Sequence, residues 1–288
     1  MFTRNNAIAR HGSGPMAVLR AFLSQIHPVF MLPPLAASWF GSILAGEFSL
    51  FVGAVHMGAI FCAVYTAHVK DGYVDFHVRN EDDDHPLTVT GCRIALAGAA
   101  LAFIAALIGL WALAGPGAAL LTLPTWVIGY LHAPQLDMHP IGATMGYPLG
   151  IALTIVSASY VQSGIVPLES LAFGLVFLVL LSGVKTIDDA QDYTYDSSIG
   201  KPTVAVVLGQ DTARRVAYGI MTVGLGLVMG FAVGGVFPPS TVLAVGVFAP
   251  VAAIAWRKSP TLATMLLIRG AYLFLASLIA AVWFHPFV

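Results

Sequence analysis

The sequence predicts an all-α polytopic membrane protein with nine transmembrane helices and a cytoplasmic N-terminus. Hydrophobic residues make up 58% of its 288 positions and charged residues only 9%, with mean hydropathy +0.85. A water-soluble domain is not built from so little charge. The apolar residues are gathered into nine runs, at 21–46, 49–69, 93–113, 116–133, 141–161, 168–187, 212–235, 240–256 and 262–285. All thirteen Lys and Arg, from Arg4 to Arg269, fall in the N-terminal tail, in the loops 70–92, 134–140, 188–211 and 257–261, or near the flanking helix ends. Nine spans that start inside put each of those segments in the cytoplasm, as the positive-inside rule requires.

Residues 1–20 are polar and basic, and the apolar run after them has no small-residue cleavage signal. The run 21–46 therefore reads as a retained first span and not a signal peptide. His27-Pro28 within it reads as a kink facing a cavity or as a buried, hydrogen-bonded histidine. The runs 116–133 and 240–256 are short for a span of about 20 residues. Arg269 lies inside the last run, so either that helix starts later, or the guanidinium snorkels or faces the bundle interior. The 29 Gly and 17 Pro suit closely packed membrane helices. The whole of 1–288 reads as one transmembrane domain with two pseudo-repeated halves, each ending in an Asp-rich motif. Cys62 and Cys92 form no CxxC pair, which indicates neither a disulfide framework nor a thiolate metal site. Net charge is −1 without a basic patch, which excludes nucleic acid as a partner. No feature requires a protein partner.

The chemistry is concentrated in two loops. In KTIDDAQDYTYDSSIGKPT, a helical reading places Asp189, Asp192 and Asp196 at i, i+3 and i+7 on one face, with Lys185 a turn earlier. Gly200 and Pro202 end that helix. In HVKDGYVDFHVR, His68, Asp71, Asp75 and Arg79 repeat the pattern at i, i+3, i+7 and i+11. Stacked like charges repel, so a cation must hold them, and hard carboxylate oxygens point to Mg2+. Without that role the carboxylates are solvated helix ends, an expensive placement beside an apolar bundle. Asp188, about a quarter-turn off the face, either supports the cluster or is simply exposed.

Carboxylates cannot bind a diphosphate directly, but a metal bridges them to phosphate oxygens and stabilises the leaving charge. An apolar cavity below such a site accommodates a hydrocarbon tail. Together these predict ionisation of an allylic prenyl diphosphate, with Arg79, Lys185 and Lys201 contacting phosphate oxygens. Five aspartates, Asp71, Asp75, Asp189, Asp192 and Asp196, are the expected metal ligands and catalytic groups. His68 is too soft to favour magnesium and reads better as a hydrogen-bond partner that orients Asp71. Arg79 pairs either with diphosphate or with the run Glu81-Asp82-Asp83-Asp84, itself a solvated loop or a lid. Tyr130 and Tyr147 stand near the carbocation, or, for Tyr130, anchor the membrane interface.

On these residues the chain resembles the UbiA superfamily of intramembrane prenyltransferases. Its second motif is matched by Asp189-x-x-Asp192-x-x-x-Asp196 with Gly200, Thr203 and Gly209 after it. The first is matched in part: Asp71 stands where the family has asparagine, Asp75 keeps the aspartate four residues on, Arg79 stands where another aspartate follows four later, and His85-Pro86-Leu87 comes after a shorter gap in place of Arg-Pro-Leu. The resemblance covers essentially the whole chain. It implies a nine-helix UbiA-type bundle, Mg2+ as cofactor, and transfer of a prenyl group from a prenyl diphosphate to a hydrophobic acceptor at a cytoplasm-facing site in the cell membrane. The family's tyrosine and lysine after helix four fall on Tyr130 and Pro134, so the lysine is missing. The loop offers His132, Asp137 and His139 instead, which makes an anionic aromatic acceptor less natural. KDGYVDFHVR…EDDDHPLT with LHAPQLDMHP is similar to the lycopene elongase branch, which adds a C5 unit to a carotenoid end.

Three alternatives stay open. A UbiA-type cyclase would use the diphosphate alone, and a quinone or lipid prenyltransferase would use another acceptor. An ion-coupled transporter would also carry intramembrane charge, but with carboxylates near the midplane and not at helix ends.

Overall fold

The computed structural model describes residues 7–46, 48–284 and 286; Arg4 and the last residue of the 262–285 run lie outside them. The chain forms helices α1 (Pro15–Leu23), α2 (Pro28–Ile43), α3 (Leu50–Tyr73), α4 (Val89–Ala114), α5 (Pro116–Leu131), α6 (Pro140–Ser163), α7 (Leu168–Gln191), α8 (Tyr193–Ser198), α9 (Val204–Leu208), α10 (Gln210–Val233), α11 (Val242–Ala255) and α12 (Pro260–Phe284). It is an all-α, multi-pass membrane bundle, but the expected nine spans are not found among the described residues. Among the described residues, six helices are long and apolar enough to cross a membrane: α3 with its extension to Arg79, α4, α6, α7, α10 and α12. A seventh is counted only if the bent pair α1 and α2 is one span.

The physical reasons for the shortfall are local. Pro28 pushes His27 out of the helical region, to φ −106 and ψ 93, and the run 21–46 breaks there with a 65° bend. The runs 116–133 and 240–256 yield helices of 16 and 14 residues. At about 1.5 Å per residue these reach roughly 24 and 21 Å, short of the ~30 Å hydrocarbon core. α12 begins at Pro260, not later, and Arg269 is exposed on it. Of the three expectations for that guanidinium, snorkelling is the one compatible with this placement.

α7 is the axis of the bundle. The most apolar part of α7 is 72% buried against 17% for α4, which leaves Leu101 and Ile108 of α4 on the outer surface. α7 packs on α6, α10 and α12; α6 continues to α2 and α5, and α3 joins α2, α4 and α5. Phe40, Phe173, Phe177, Phe248 and Phe274 fill the centre of the largest core cluster. Glycines permit close approaches between helices: a Cβ on Gly41 would lie 2.2 Å from the Ile155 carbonyl oxygen, and one on Gly183 2.7 Å from that of Ala217. Small residues at such crossings substitute close van der Waals packing for the hydrophobic drive that lipid does not supply.

Candidate active site at the mouth of an apolar cavity

Helices α2, α3, α5, α6, α7 and α12 enclose a cavity of about 600 Å3, walled by side chains such as Phe30, Ile60, Thr154, Phe177 and Leu275. Asp71, Asp75, Lys185 and Asp188 all line it, so residues from both predicted motifs reach one space.

The first motif is positioned by a change of helix type. After Tyr73 the chain widens into a π-helical stretch, Val74–Arg79, closed by Asn80 in the left-handed region at φ 56. Asp71, Asp75 and Arg79 stay next to one another along this stretch, and Arg79 also meets carboxylates from outside the motif. Its guanidinium donates from Nη1 to Asp137 Oδ2 at 2.6 Å and from Nη2 to Oδ1 at 3.2 Å. The Asp75 carboxylate is 3.4 Å from Nη1 and that of Glu81 3.8 Å from Nε. One oxygen from each of Asp71, Asp75 and Asp137 lies within 4.8 Å of the other two. An all-oxygen, all-carboxylate set suits a hard divalent ion such as Mg2+. Asp137, only 3% exposed, was noticed in the sequence as a polar feature of its loop and not as a member of this cluster.

The second motif is built at the end of α7. Lys185 Nζ lies 2.7 Å from both Asp188 Oδ2 and Asp189 Oδ1, and the Thr144 hydroxyl donates to Asp189 Oδ2 at 2.9 Å. α7 stops at Gln191, Asp192 adopts φ −91 and ψ 8, and α8 starts anew at Tyr193. That break splits the predicted i, i+3, i+7 face: Asp189 and Asp196 are buried while Asp192 is exposed. Gly200, at φ +69, follows the end of α8 as expected. Burial pushes the Asp196 carboxyl up, Lys201 opposes the shift, and Asp189 and Asp192 add to it.

The two motifs sense each other. Lys201 acts electrostatically on Asp75 as well as on Asp196. The Tyr195 hydroxyl is pushed up by desolvation and by Glu81, Asp75, Asp82 and Asp196, so carboxylates of both loops surround it. Such facing clusters of one sign require a countercharge, here supplied by Arg79, Lys185 and Lys201.

The remaining predicted residues divide. His68 and His132 line the cavity; His132 Nε2 is 3.9 Å from Asp71 Oδ1, and the His68 ring is 4.9 Å from that of His27. His68 Nδ1 is buried with no hydrogen-bond partner among the described residues. Tyr147 also lines the cavity and donates to the Phe30 carbonyl at 3.1 Å. Tyr130 does not: it is exposed, stacked on Trp126, with Lys70 Nζ 3.8 Å from its ring centre. The acidic run is tied to the N-terminal segment, where Arg10 and His11 pair with Asp84.

No family model matches the sequence, and no curated protein matches it. Solved structures do. A UbiA homolog from Aeropyrum pernix K1 superposes with TM-score 0.73 at 16% identity, over 88% of this chain and 98% of its own. Digeranylgeranylglyceryl phosphate synthase gives TM-score 0.72 at 13% identity, over 92% and 98%. A UbiA homolog from Archaeoglobus fulgidus bound to DMAPP and Mg2+ gives 0.63 at 18% identity, over 91% and 99%. With helices, cavity and carboxylate-lined mouth all in view, the chain has the fold of the UbiA membrane prenyltransferases.

Proposed function

We propose that the protein transfers a prenyl group from an allylic prenyl diphosphate to a neutral, hydrophobic acceptor, with Mg2+ and with release of pyrophosphate. The observation that carries this reading is the meeting of both acidic motifs at the mouth of one apolar cavity. The fold shared with a homolog bound to DMAPP and Mg2+ supports it. Asp71, Asp75 and Asp137 would hold the metal from one side and Asp189, Asp192 and Asp196 from the other. Bound there, Mg2+ would supply the positive charge that offsets the charge of the leaving pyrophosphate.

The chain's own residues do the rest. Lys185, Lys201 and Arg79 turn positive charge toward the leaving group as the C–O bond breaks. The apolar wall keeps water from the allylic cation, and the Tyr147 ring offers it a negative face. Asp188 holds Lys185 in place. The mouth faces the cytoplasm on this reading, which rests on the distribution of Lys and Arg.

The acceptor follows from charge. Among the described residues, Lys185 is the one Lys or Arg that lines the cavity, and Asp188 and Asp189 both engage it. A carboxylate on an acceptor would have to compete with Asp188, Asp189 and the diphosphate for Lys185, and a buried unpaired charge is costly. A hydrocarbon acceptor suits this wall, and C5 addition to lycopene or a related carotenoid is the specific reaction we put forward. Incubating purified protein and Mg2+ with labelled C5, C10, C15 and C20 diphosphates, each with and without lycopene, tests it. A labelled carotenoid formed only with lycopene supports the reading. A labelled terpene formed from a diphosphate alone replaces it with cyclisation.

A further inference from the structure

His77, His85 and Cys92 lie on three successive stretches: the π-helical turn, the loop after it and the first turn of α4. One ligand atom of each lies within 4.8 Å of the other two. Cys92 is fully buried, His85 is 5% exposed and His77 is half-buried. Two imidazoles and a thiol are a different donor set from the carboxylates next door. They favour a borderline-soft ion of the zinc class over magnesium.

His85 is not fully satisfied where it stands. His77 Nε2 and His85 Nδ1 lie 3.0 and 3.1 Å from the same Leu87 carbonyl oxygen. His85 Nδ1 is also 3.2 Å from the Leu87 backbone nitrogen. A neutral ring nitrogen cannot donate to the carbonyl and accept from the N–H at once. His85 Nε2 is buried with no partner among the described residues. Either tautomer therefore leaves a buried polar atom unmet, which is costly. The imidazole is also pressed against α3: a Cβ on Gly72 would lie 2.7 Å from His85 Nε2.

We propose that His77, His85 and Cys92 form a second metal site, for one zinc-class divalent ion. A tetrahedral zinc site draws its donors to about 3.5 Å from one another, so binding tightens this cluster. Cys92 gives up its thiol proton to solvent as the Sγ–metal bond forms, and no electron is transferred. The Leu87 carbonyl or a water takes the fourth position. The ion would staple the π-helical turn to the start of α4 and hold the loop between them, with Glu81–Asp84, beside Asp75. No CxxC announces the site, because its ligands are spaced as H-x7-H-x6-C. The competing account is a hydrogen-bonded clamp on the Leu87 carbonyl around an inert core thiol.

Cobalt separates the two accounts. Full-length protein in detergent, with Mg2+ in excess to occupy the carboxylates, is titrated with Co2+ and then with Zn2+. The proposal expects one Co2+ per chain with a thiolate-to-cobalt charge-transfer band, bleached by Zn2+. The band persists in Cys62→Ser, disappears in Cys92→Ser, and needs at least about tenfold more Co2+ in His77→Asn or His85→Asn. If Cys92→Ser does not fold, the two histidine variants carry the same comparison. Absence of the band in the wild type, or its persistence in Cys92→Ser or undiminished in both histidine variants, overturns the proposal. None of these readouts depends on prenyl transfer.

Discussion

Arg79 and Asp137 are 58 residues apart in the chain and meet through two hydrogen bonds, 2.6 and 3.2 Å long. Both side chains are largely withdrawn from water, at 15% and 5% exposure. The pair fastens the end of the first motif to the loop between α5 and α6, and it brings a third carboxylate to Asp71 and Asp75. Removing Arg79 leaves the nearly buried Asp137 without this partner, and removing Asp137 leaves Arg79 only its longer contacts with Asp75 and Glu81.

Asp137→Ala is therefore expected to destabilise the protein by about 3 kcal/mol and to weaken Mg2+ binding. Arg79→Ala should cost a similar amount. The double variant should cost clearly less than the sum, since the partners belong to one interaction. Thermal unfolding in detergent of the wild type, both singles and the double provides the cycle; additive losses would show that the pair is not coupled.

The second motif gives an asymmetric prediction. Asp192 is exposed and Asp189 is buried under Lys185 and Thr144. Asp192→Ala should lose at least about 100-fold in turnover, roughly 2.7 kcal/mol in the barrier, with an unchanged melting temperature. Asp189→Ala should lose turnover and stability together. Turnover assays and thermal unfolding on both variants check this, and full activity in both would remove the metal assignment from this motif.

Asp196 supplies a pH dependence. Burial raises its carboxyl above the ordinary value near 4, so the folded chain holds that proton more tightly than the unfolded chain does. In metal-free protein this contribution to stability is full below the ordinary value and is lost as pH rises through the folded one. Mg2+ prefers the carboxylate, so its stabilising effect should grow over the same window. Melting temperatures across pH, with and without Mg2+, should show a widening gap that narrows in Asp196→Asn.

Tyr130 lies outside the cavity, over Lys70. Tyr130→Ala should leave products unchanged and lower stability by about 0.5–1 kcal/mol through the lost cation–π contact. The Lys70 bond to the Tyr130 carbonyl survives the substitution. A changed product profile in an assay of this variant would bring Tyr130 back to the substrate.

Much of the bundle was legible because hydropathy records burial in lipid directly. The runs containing α3, α4, α6, α7, α10 and α12 all became membrane-length helices. The miscount of nine came from features that hydropathy does not register. Apolar composition persists through the bend before Pro28, and it does not report that α5 and α11 stop at 16 and 14 residues. The same limit applies at the mouth. A uniform 3.6-residue period put Asp192 beside Asp189, and a backbone break at that residue turned it to the surface. The partnership of Asp137 with Arg79 joins two loops that periodicity treats separately. Only the polar character of LHAPQLDMHP signalled it.

Magnesium-dependent release of pyrophosphate from a labelled allylic C5 diphosphate, with lycopene present, tests the central claim most directly. The account predicts release in step with a labelled carotenoid product, suppressed by chelator and restored by added Mg2+, and lost in Asp75→Ala. Purified, folded protein that released no pyrophosphate from any C5 to C20 donor, with or without acceptor, would contradict it.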